Sequence, residues 1–256
     1  MSKDVDFPQK PLLTWVIRTY NEEKWLDKVL NALFMQSRLD FEVIIVDSES
    51  TDSTLDIIKK YPIRKLISIK KRDFHYSYAL NLGISEARGE LIGIISGHSL
   101  PSHRFWYEWS IKHFSNPKVA AVGGQFTSLP DGSYQEKLGD IQFHTSMFKG
   151  STNKFDSWQS SSPFKAFTNT NSMIRKSCWK QYPFDESVEA SEDYDWCIEM
   201  LSRGYDVVFE PNFNVYHSHG GLGAKTLHDN WEYWQKINKI HDRKSRPSKS
   251  IHSVKL

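Results

Sequence analysis

The stretch LLTWVIRTYNEEKWLDKVLNALFMQSRLDFEVIIVDSESTD, residues 12–52, decides the fold. It contains two short apolar runs, residues 12–17 and 41–46, each of which has the length of a buried strand and ends at polar residues. Between them, apolar side chains recur at helical spacing over residues 22–37. A strand, a helix and a second strand in this order predict a right-handed βαβ unit, in which the two strands are parallel.

The same alternation continues along the chain. A helix that ends near Lys60 follows the second strand, and Asp52 or Ser50 is suited to cap its first turn. The pattern as a whole predicts an α/β fold with a mainly parallel sheet flanked by helices. The further predicted strands are residues 64–69, 91–95, 119–122, 171–175, 207–209 and 214–216, and the further predicted helices are residues 78–87, 102–114 and 192–203.

The composition is that of an ordinary globular protein. The chain has 256 residues, of which 39% are hydrophobic and 25% are charged, so wholesale disorder is excluded. No stretch approaches the roughly 18 apolar residues that a membrane-spanning helix needs. The first ten residues lack the apolar core of a signal peptide, so we expect a cytoplasmic protein. Cys178 and Cys197 are too few for a disulfide framework, and we expect reduced, structural thiols.

The net charge of +2 conceals a basic C-terminal end. Residues 236–256 carry seven lysines and arginines and a single acid, Asp242, whereas the rest of the chain is mildly acidic. One interpretation is a solvated tail, and the other is attraction to anionic lipid at the inner face of the membrane. Nucleic acid is an unlikely partner, because the body of the chain has no basic stripe and no nucleic-acid motif.

Polar residues follow the predicted strands at four places: residues 19–22, 47–52, 70–73 and 96–99. Ligands of parallel sheets bind beyond the carboxyl ends of the strands, so these residues form one candidate rim. An aspartate at such a position, here Asp47, can accept hydrogen bonds from a base or a ribose, although Thr19, Asn21 and Asp47 are each equally suited to a turn. No glycine-rich phosphate loop is present, which excludes dinucleotide-binding and P-loop proteins.

Three histidines are candidate metal ligands. His98 follows a predicted strand, and His217 and His219 stand two positions apart after the last one. A lone histidine is usually a packed or surface residue, but three of them at strand ends favour a divalent-metal site.

Two adjacent acids, Glu192 and Asp193, open a predicted helix, and Asp195 follows them. Acids are favoured in the first turn of a helix, and Ser191 is a suitable N-cap, so a purely structural role is one interpretation. A carboxylate in this position beside a cleft is also suited to act as a general base.

The periodicity fades over residues 123–170, a stretch rich in serine, threonine, glutamine and aromatic residues. A long polar and aromatic insertion next to a regular scaffold is typical of a recognition element.

Taken in order, several segments resemble family 2 glycosyltransferases with the GT-A fold. The match extends from Leu12 to Gly220. The segment RDFHYSYALNLGISEARGE, residues 72–90, is similar to that of bacterial rhamnosyltransferase-like enzymes, which build surface polysaccharides. The segments that carry the resemblance are IRTYNEEKWLDKVLNAL, EVIIVDSESTDST, ALNLGISEARGELIGIISGHSLP, EDYDWCIEMLSRGY and YHSHG.

The resemblance implies an inverting transfer of a sugar from a nucleotide-diphosphate sugar to a hydroxyl of a glycan or lipid-linked acceptor. It implies one GT-A domain over residues 1–240, with a nucleotide-sugar half (about 11–122), an acceptor half (123–235) and a basic tail (241–256). Asp193 would be the general base, and Glu192 would help to hold the acceptor. The residues implied to contact the nucleotide are Thr19, Tyr20, Asn21, Glu22, Asp47, Ser48, Arg72, Ser96 and Gly97.

The chain departs from the family at the metal motif. Where most members have Asp-x-Asp, this sequence has Ser96-Gly97-His98. His98 would replace the metal-binding aspartate, with His217 or His219 completing the site. A nitrogen ligand favours borderline ions over magnesium, so we expect a divalent metal, manganese above others.

Two other functions compete with this interpretation. In one, the chain is a non-catalytic module that binds nucleotide sugars or glycans and has a decayed metal motif; the intact Glu192-Asp193 pair argues against it. The other, a nucleotidyltransferase, is disfavoured because no glycine-rich N-terminal signature is present.

Overall fold

The computed structural model describes residues 10–133, 136–137, 167–218, 235–236 and 239–240, and the backbone of residues 153–155. Most of the aromatic stretch at 123–170 and the basic tail at 241–256 therefore lie outside the described residues, as does His219. The described strands are β1 (Leu13–Thr19), β2 (Phe41–Asp47), β3 (Lys65–Ser68), β4 (Leu91–Ser96), β5 (Leu100–Pro101), β6 (Val119–Thr127), β7 (Asn153–Phe155), β8 (Asn171–Arg175) and β9 (Asp206–Tyr216).

The described helices are α1 (Leu26–Phe34), α2 (Thr54–Ile58), α3 (Tyr76–Ser85), α4 (Glu108–Ile111), α5 (Lys176–Gln181) and α6 (Glu192–Ser202). Short 3₁₀ turns occupy Lys71–Asp73 and Lys112–Ser115. None of the helices in the described ranges is long and apolar enough to cross a membrane.

The strands form one sheet in the order β3-β2-β1-β4-β8-β6-β9-β5, with β7 beside β9. The first four are parallel, which confirms the predicted βαβ arrangement. The second half is mixed, since β8 runs antiparallel to both β4 and β6 while β6 and β9 are parallel. Residue Asn171 at the start of β8 pairs with Ile95 at the end of β4, because the chain enters β8 from the carboxyl edge of the parallel strands.

Both faces of the sheet are buried because β1, β2 and β4 are apolar on both sides. On one face, α1 packs its apolar stripe against Trp15, whose ring stacks on Trp106 with the centroids 4.7 Å apart. On the other face, α3 and α6 bury Leu80 and Trp196 against Val16. This two-sided core makes the strand ends a rigid edge.

Two predicted elements differ from the structure. The helix predicted over residues 102–114 is α-helical only at Glu108–Ile111. The preceding residues bind neighbouring segments instead: Ser102 N–H donates to Asn214, and the Arg104 carbonyl accepts from Ser37 N–H. The two short strands predicted at 207–209 and 214–216 are a single strand, β9, with a register shift where Gly124 and Gln125 pair with it.

Smaller predictions have mixed outcomes. Both cysteines are buried and free, as expected. Asp52 does bind the first turn of α2, because its Oδ1 accepts from Thr54 N–H at 2.9 Å. The hydroxyl of Ser50 instead donates to Asp47.

A buried carboxylate on β9 stabilises the fold. Glu210 is fully buried and accepts hydrogen bonds from His113 at 2.8 Å, Lys112 at 3.1 Å and Asn212. Burial opposes its ionisation, but these hydrogen bonds outweigh burial and lower the pKa of Glu210 to about 2. Because the folded state holds the ionised form, this stability is present above the unfolded pKa and is lost as pH falls through about 4 towards 2.

We expect Glu210→Gln to lower the free energy of unfolding at pH 7 by about 3 kcal/mol, the size of its pKa shift. Urea denaturation between pH 7 and pH 3 measures this effect, and the difference from the parent should shrink at the acid end. Glu86→Gln, which removes one exposed partner of Lys65, is the control and should change little. Equal stability of parent and Glu210→Gln at pH 7 would contradict the prediction.

Candidate functional site

A cleft of about 580 Å³ opens at the carboxyl ends of β1 and β4, beside the first turn of α6. This is the edge at which a parallel sheet binds its ligands. Eight of the predicted site residues line the cleft: Thr19, Tyr20, Glu22, Ser96, His98, Glu192, Asp193 and His217. The other described ones, Asn21, Asp47, Ser48, Arg72 and Gly97, lie outside its lining.

The loop after β1 is tied to the loop after β2. Asn21 adopts a positive φ of 53°, which asparagine tolerates, and its Oδ1 accepts from Thr51 N–H at 2.8 Å. Its own N–H donates to Ser50 Oγ at 2.9 Å, and Glu22 N–H donates to Thr54 Oγ1 at 2.7 Å. Asn21 therefore has the turn-forming role that the sequence left open, and it fixes one rim of the cleft.

Asp47 is buried at the end of β2. Its Oδ2 accepts from Thr19 Oγ1 at 2.8 Å and from Ser50 Oγ at 2.5 Å, and its Oδ1 accepts from Ser50 N–H at 2.9 Å. The carboxylate thus joins the ends of β1 and β2. Contact between Asp47 and a nucleotide stays a prediction, as it does for the buried Ser48 and the exposed Arg72.

An aromatic and cationic group borders the cleft on the β3 side. Lys71 Nζ donates to Tyr20 OH at 2.6 Å and lies 4.4 Å from the centre of that ring. Phe74 and Tyr76 contact each other edge to face, with centroids 5.1 Å apart. These rings offer flat apolar surface at the mouth of a polar cleft.

The two described histidines meet in the cleft. Nδ1 of His98 lies 2.8 Å from Glu22 Oε1, and the ring of His98 stacks on that of His217 with centroids 4.6 Å apart. Ser96, which stands where the family has its first aspartate, shares a hydrogen bond with Ser99 at 2.7 Å. Within the described ranges no three histidine, cysteine or acidic side chains form a group that could hold a metal by themselves.

Asp193 lies in the first turn of α6. Ser191 occupies the N-cap position, as predicted, but it has a positive φ of 65° and its side chain makes no capping hydrogen bond. Asp193 binds the backbone here instead: its Oδ1 accepts from Tyr194 N–H at 2.8 Å and its Oδ2 from Asn169 N–H at 3.0 Å. One of the unpaired N–H groups at the start of the helix is thus satisfied by this carboxylate.

The environment of Asp193 disfavours its charge. Desolvation by the surrounding protein, reinforced by the neighbouring charge of Glu192, raises the pKa of Asp193 to about 6, although the hydrogen bonds from Asn169 and Tyr194 oppose the shift. The group is therefore ionised at pH 7 and has a stronger affinity for a proton than an ordinary aspartate. Both properties suit a general base.

Glu192 is held in place from two sides. Its Oε1 accepts from Asn169 Nδ2 at 3.1 Å and lies 3.5 Å from Arg18 Nη1. The Arg18 guanidinium in turn lies 5.1 Å from the centre of the Tyr76 ring. These contacts link β1, α3 and α6 beneath the cleft.

Several lining residues were not predicted from the sequence, among them Arg18, Tyr76 and Asn169. Arg18 carried a signal, because it directly follows the apolar run of residues 12–17 and is the one charged residue of β1. Asn169 lay at the edge of the stretch without periodicity, and no local pattern distinguished it from its neighbours.

Comparison with known proteins agrees with this geometry. The family model described as Glycosyl transferase family 2 matches residues 14–180. A glucuronosyltransferase of Methanococcus voltae, described as acting on a dolichyl N-acetylglucosaminyl phosphate, is 28% identical over 77% of this chain and 64% of its own. The O-antigen chain rhamnosyltransferase RfbN of Salmonella typhimurium is 23% identical over 81% of this chain and 66% of its own. The chain thus spans just under two thirds of the length of these relatives.

Solved structures share the fold. The TarS fragment of S. aureus in complex with UDP-GlcNAc has a TM-score of 0.69 at 17% identity, covering 89% of this chain and 65% of its own. The mannosyltransferase of Pyrobaculum calidifontis in complex with GDP-Man and Mn²⁺ has a TM-score of 0.64 at 18% identity, covering 95% of this chain and 67% of its own. The predicted GT-A fold is confirmed.

We expect Asp193→Asn to become more stable relative to the parent as pH rises from 4 to 8. A folded-state pKa raised from 3.8 to about 6 means that ionisation of Asp193 costs folding free energy, and this cost is complete once pH has risen through 6. Asparagine removes the charge at every pH, and the loss of one accepting oxygen is the same at both pH values. The difference in unfolding free energy between variant and parent should therefore rise by about 1–3 kcal/mol between pH 4 and pH 8. Thermal unfolding at the two pH values measures it, and an unchanged difference would contradict the prediction.

Proposed function

Because the chain belongs to glycosyl transferase family 2, we propose that it is an inverting transferase. It moves a sugar from a nucleotide-diphosphate sugar to a hydroxyl group of a glycan or lipid-linked acceptor. The observation that carries the proposal is the Asp193 carboxylate, set in a cleft at the carboxyl edge of the sheet with its pKa raised to about 6.

In the proposed reaction, Asp193 takes the proton of the acceptor hydroxyl. The hydroxyl oxygen forms a bond to the anomeric carbon from the side opposite the diphosphate. The bond between that carbon and the diphosphate oxygen breaks, and the nucleoside diphosphate leaves with the electron pair. A single in-line displacement inverts the anomeric configuration, which is why one base at this position suffices.

The residues around Asp193 position it. Asn169 donates its backbone N–H to Asp193 and its amide to Glu192, so one residue sets the spacing of both carboxylates. Glu192, held also by Arg18, is placed to accept a hydrogen bond from a sugar hydroxyl. Fixing both acids before the substrate arrives lowers the entropic cost of reaching the transition state.

We assign the donor to the other side of the cleft. Thr19, Tyr20 and Ser96 line it at the ends of β1 and β4, and TarS and the mannosyltransferase carry UDP-GlcNAc and GDP-Man in complexes of the same fold. Asn21, Asp47 and Ser48 support this rim from behind, and Arg72 extends it outward.

We propose that His98 and His217 contribute to holding a divalent cation, manganese above others. Glu22 binds Nδ1 of His98, so Nε2 would be the ligating atom, and the ring of His217 stacks on the face of the His98 ring. His219 is a further proposed ligand. A bound cation would stabilise the negative charge that develops on the departing diphosphate.

The relatives support a proposal for the biological setting. The Methanococcus relative is described as acting on a dolichyl-linked acceptor and RfbN as an O-antigen chain enzyme, so we infer a role in building a surface polysaccharide or a lipid-linked glycan. Residues 1–240 would form one catalytic domain, with donor binding in residues 11–122 and acceptor binding in residues 123–235. The basic tail, 241–256, would contact anionic lipid at the inner membrane face.

A screen of sugar nucleotides by thermal shift tests this function. A ligand that binds the native state raises the melting temperature by mass action, and we expect at least one sugar nucleotide to do so more strongly with Mn²⁺ than without it. Transfer or hydrolysis of that donor then separates an enzyme from a non-catalytic binding module. Binding without any turnover would favour the module.

We expect Asp193→Asn to lower turnover by at least about 100-fold while donor binding stays near normal, because a positioned base contributes roughly 10²–10⁴ in rate. In the parent, kcat should fall as pH drops through about 6, where Asp193 takes up its proton. Asp195→Asn is the matched control on the same helix: Asp195 faces Tyr182, away from the cleft, and should tolerate the change. Near-normal turnover of Asp193→Asn would remove Asp193 from the mechanism.

A further inference from the structure

Glu22 was predicted to contact the nucleotide, but its carboxylate is directed at a histidine. Its Oε1 lies 2.8 Å from Nδ1 of His98, and the two side chains are only 16% and 19% exposed. A neutral imidazole bound in this way carries its proton on Nδ1 and has its lone pair on Nε2.

The backbone of Glu22 is anchored, so the carboxylate has a fixed origin. Its N–H donates to Thr54 Oγ1 at 2.7 Å, and its carbonyl accepts from Trp25 N–H at 3.1 Å and Leu26 N–H at 2.9 Å at the start of α1. The residue therefore belongs to the rigid junction between β1, α1 and α2. A side chain that originates there can hold a partner in place.

The imidazole of His98 is held on its face as well as its edge. The His217 ring stacks on it at 4.6 Å with an interplanar angle of 27°, and the backbone of His217 is anchored, since its main-chain N–H donates to the Thr127 carbonyl at 2.8 Å. An edge contact and a face contact together define both the position and the rotation of the ring.

Gly97 leaves the space through which Glu22 reaches His98. A Cβ at residue 97 would lie 2.7 Å from Glu22 Cγ and 3.1 Å from its Cδ. The backbone of Gly97 is tied to β1, because its N–H donates to the Arg18 carbonyl at 3.1 Å. The need for glycine here is therefore steric and concerns Glu22.

From these contacts we propose that Glu22 is the positioning residue of His98. Its carboxylate holds the proton on Nδ1 and presents Nε2 to a divalent cation. Glycine is required at residue 97 because a Cβ there would displace the Glu22 side chain. The inference rests on the proposed function, in which His98 is a cation ligand. It assigns to Glu22 and Gly97 a role through His98 in place of direct nucleotide contact.

The tautomer of His98 gives a test that needs no metal. Nitrogen-15 NMR of the histidine rings at pH 8, with the His98 signals identified by their loss in His98→Ala, should show the proton on Nδ1 in the parent. Glu22→Ala should move the population to the Nε2–H tautomer, whereas Glu22→Gln, whose amide oxygen still accepts from Nδ1–H, should retain much of the parent pattern. An unchanged tautomer in Glu22→Ala would overturn the inference.

Cation affinity gives the second readout. Titration of the full chain with Mn²⁺ alone, followed by the electron paramagnetic resonance signal of the free ion, should show affinity about 10–100-fold weaker for Glu22→Ala, with Glu22→Gln in between. Glu23→Gln is the matched control, since Glu23 accepts from Ser53 N–H outside the cleft. If Glu22→Ala binds Mn²⁺ as the parent does while His98→Ala loses binding, the role assigned to Glu22 is overturned and the proposed metal site stands.

Gly97→Ala separates the steric role from a general loss of structure. We expect it to weaken Mn²⁺ binding as Glu22→Ala does, and to add nothing to Glu22→Ala, because the atoms it displaces are then gone. Additive losses in the double variant would contradict the role assigned to Gly97. If the parent binds no Mn²⁺, or if His98→Ala binds it as the parent does, the metal site of the proposed function is contradicted. In that case the NMR measurement still decides whether Glu22 determines the tautomer of His98.

Discussion

The antiparallel pairing of β8 with β4 brings the two halves of the chain together at the cleft. Because Asn171 opposes Ile95, the residues just before β8 emerge beside the carboxyl ends of the parallel strands. Asn169 is among them, and it binds both acids at the start of α6. The cleft therefore combines a rim made by the first half of the chain with carboxylates supplied by the second. The reversal of β8, together with the contact between Arg18 and Glu192, therefore sets where Asp193 lies relative to Thr19 and His98.

The charges in the cleft explain why a cation suits it. Glu22, Glu192 and Asp193 line the cleft, and Arg18 is the one lysine or arginine among the lining residues that the structure describes. That arginine already faces Glu192. A nucleoside diphosphate would add further negative charge to this acidic surface. A divalent ion held near His98 would offset the repulsion, which makes cation binding and donor binding mutually dependent.

The sequence predicted the parts of the molecule that follow from local periodicity. α1 was visible from its helical spacing, and β1, β2 and β4 were visible as short apolar runs bounded by polar residues; the strand-end rule then located the cleft. The short α4 and the continuous β9 were not predictable, since contacts with distant segments decide where each begins and ends. For the same reason the pairing of Glu22 with His98, 76 positions apart, has no trace in the spacing of residues.

The hydrogen bonds at the start of α6 have a consequence for the recovery of the base. Both oxygens of Asp193, the proposed base, already accept a backbone N–H, from Tyr194 and from Asn169, before any acceptor arrives. A carboxyl group that has taken up a proton is a weaker acceptor than a carboxylate, so protonation of Asp193 weakens these two contacts. The same two N–H groups that fix the carboxylate would therefore favour loss of the proton to solvent after each transfer, and would return the side chain to the ionised form that the next cycle needs.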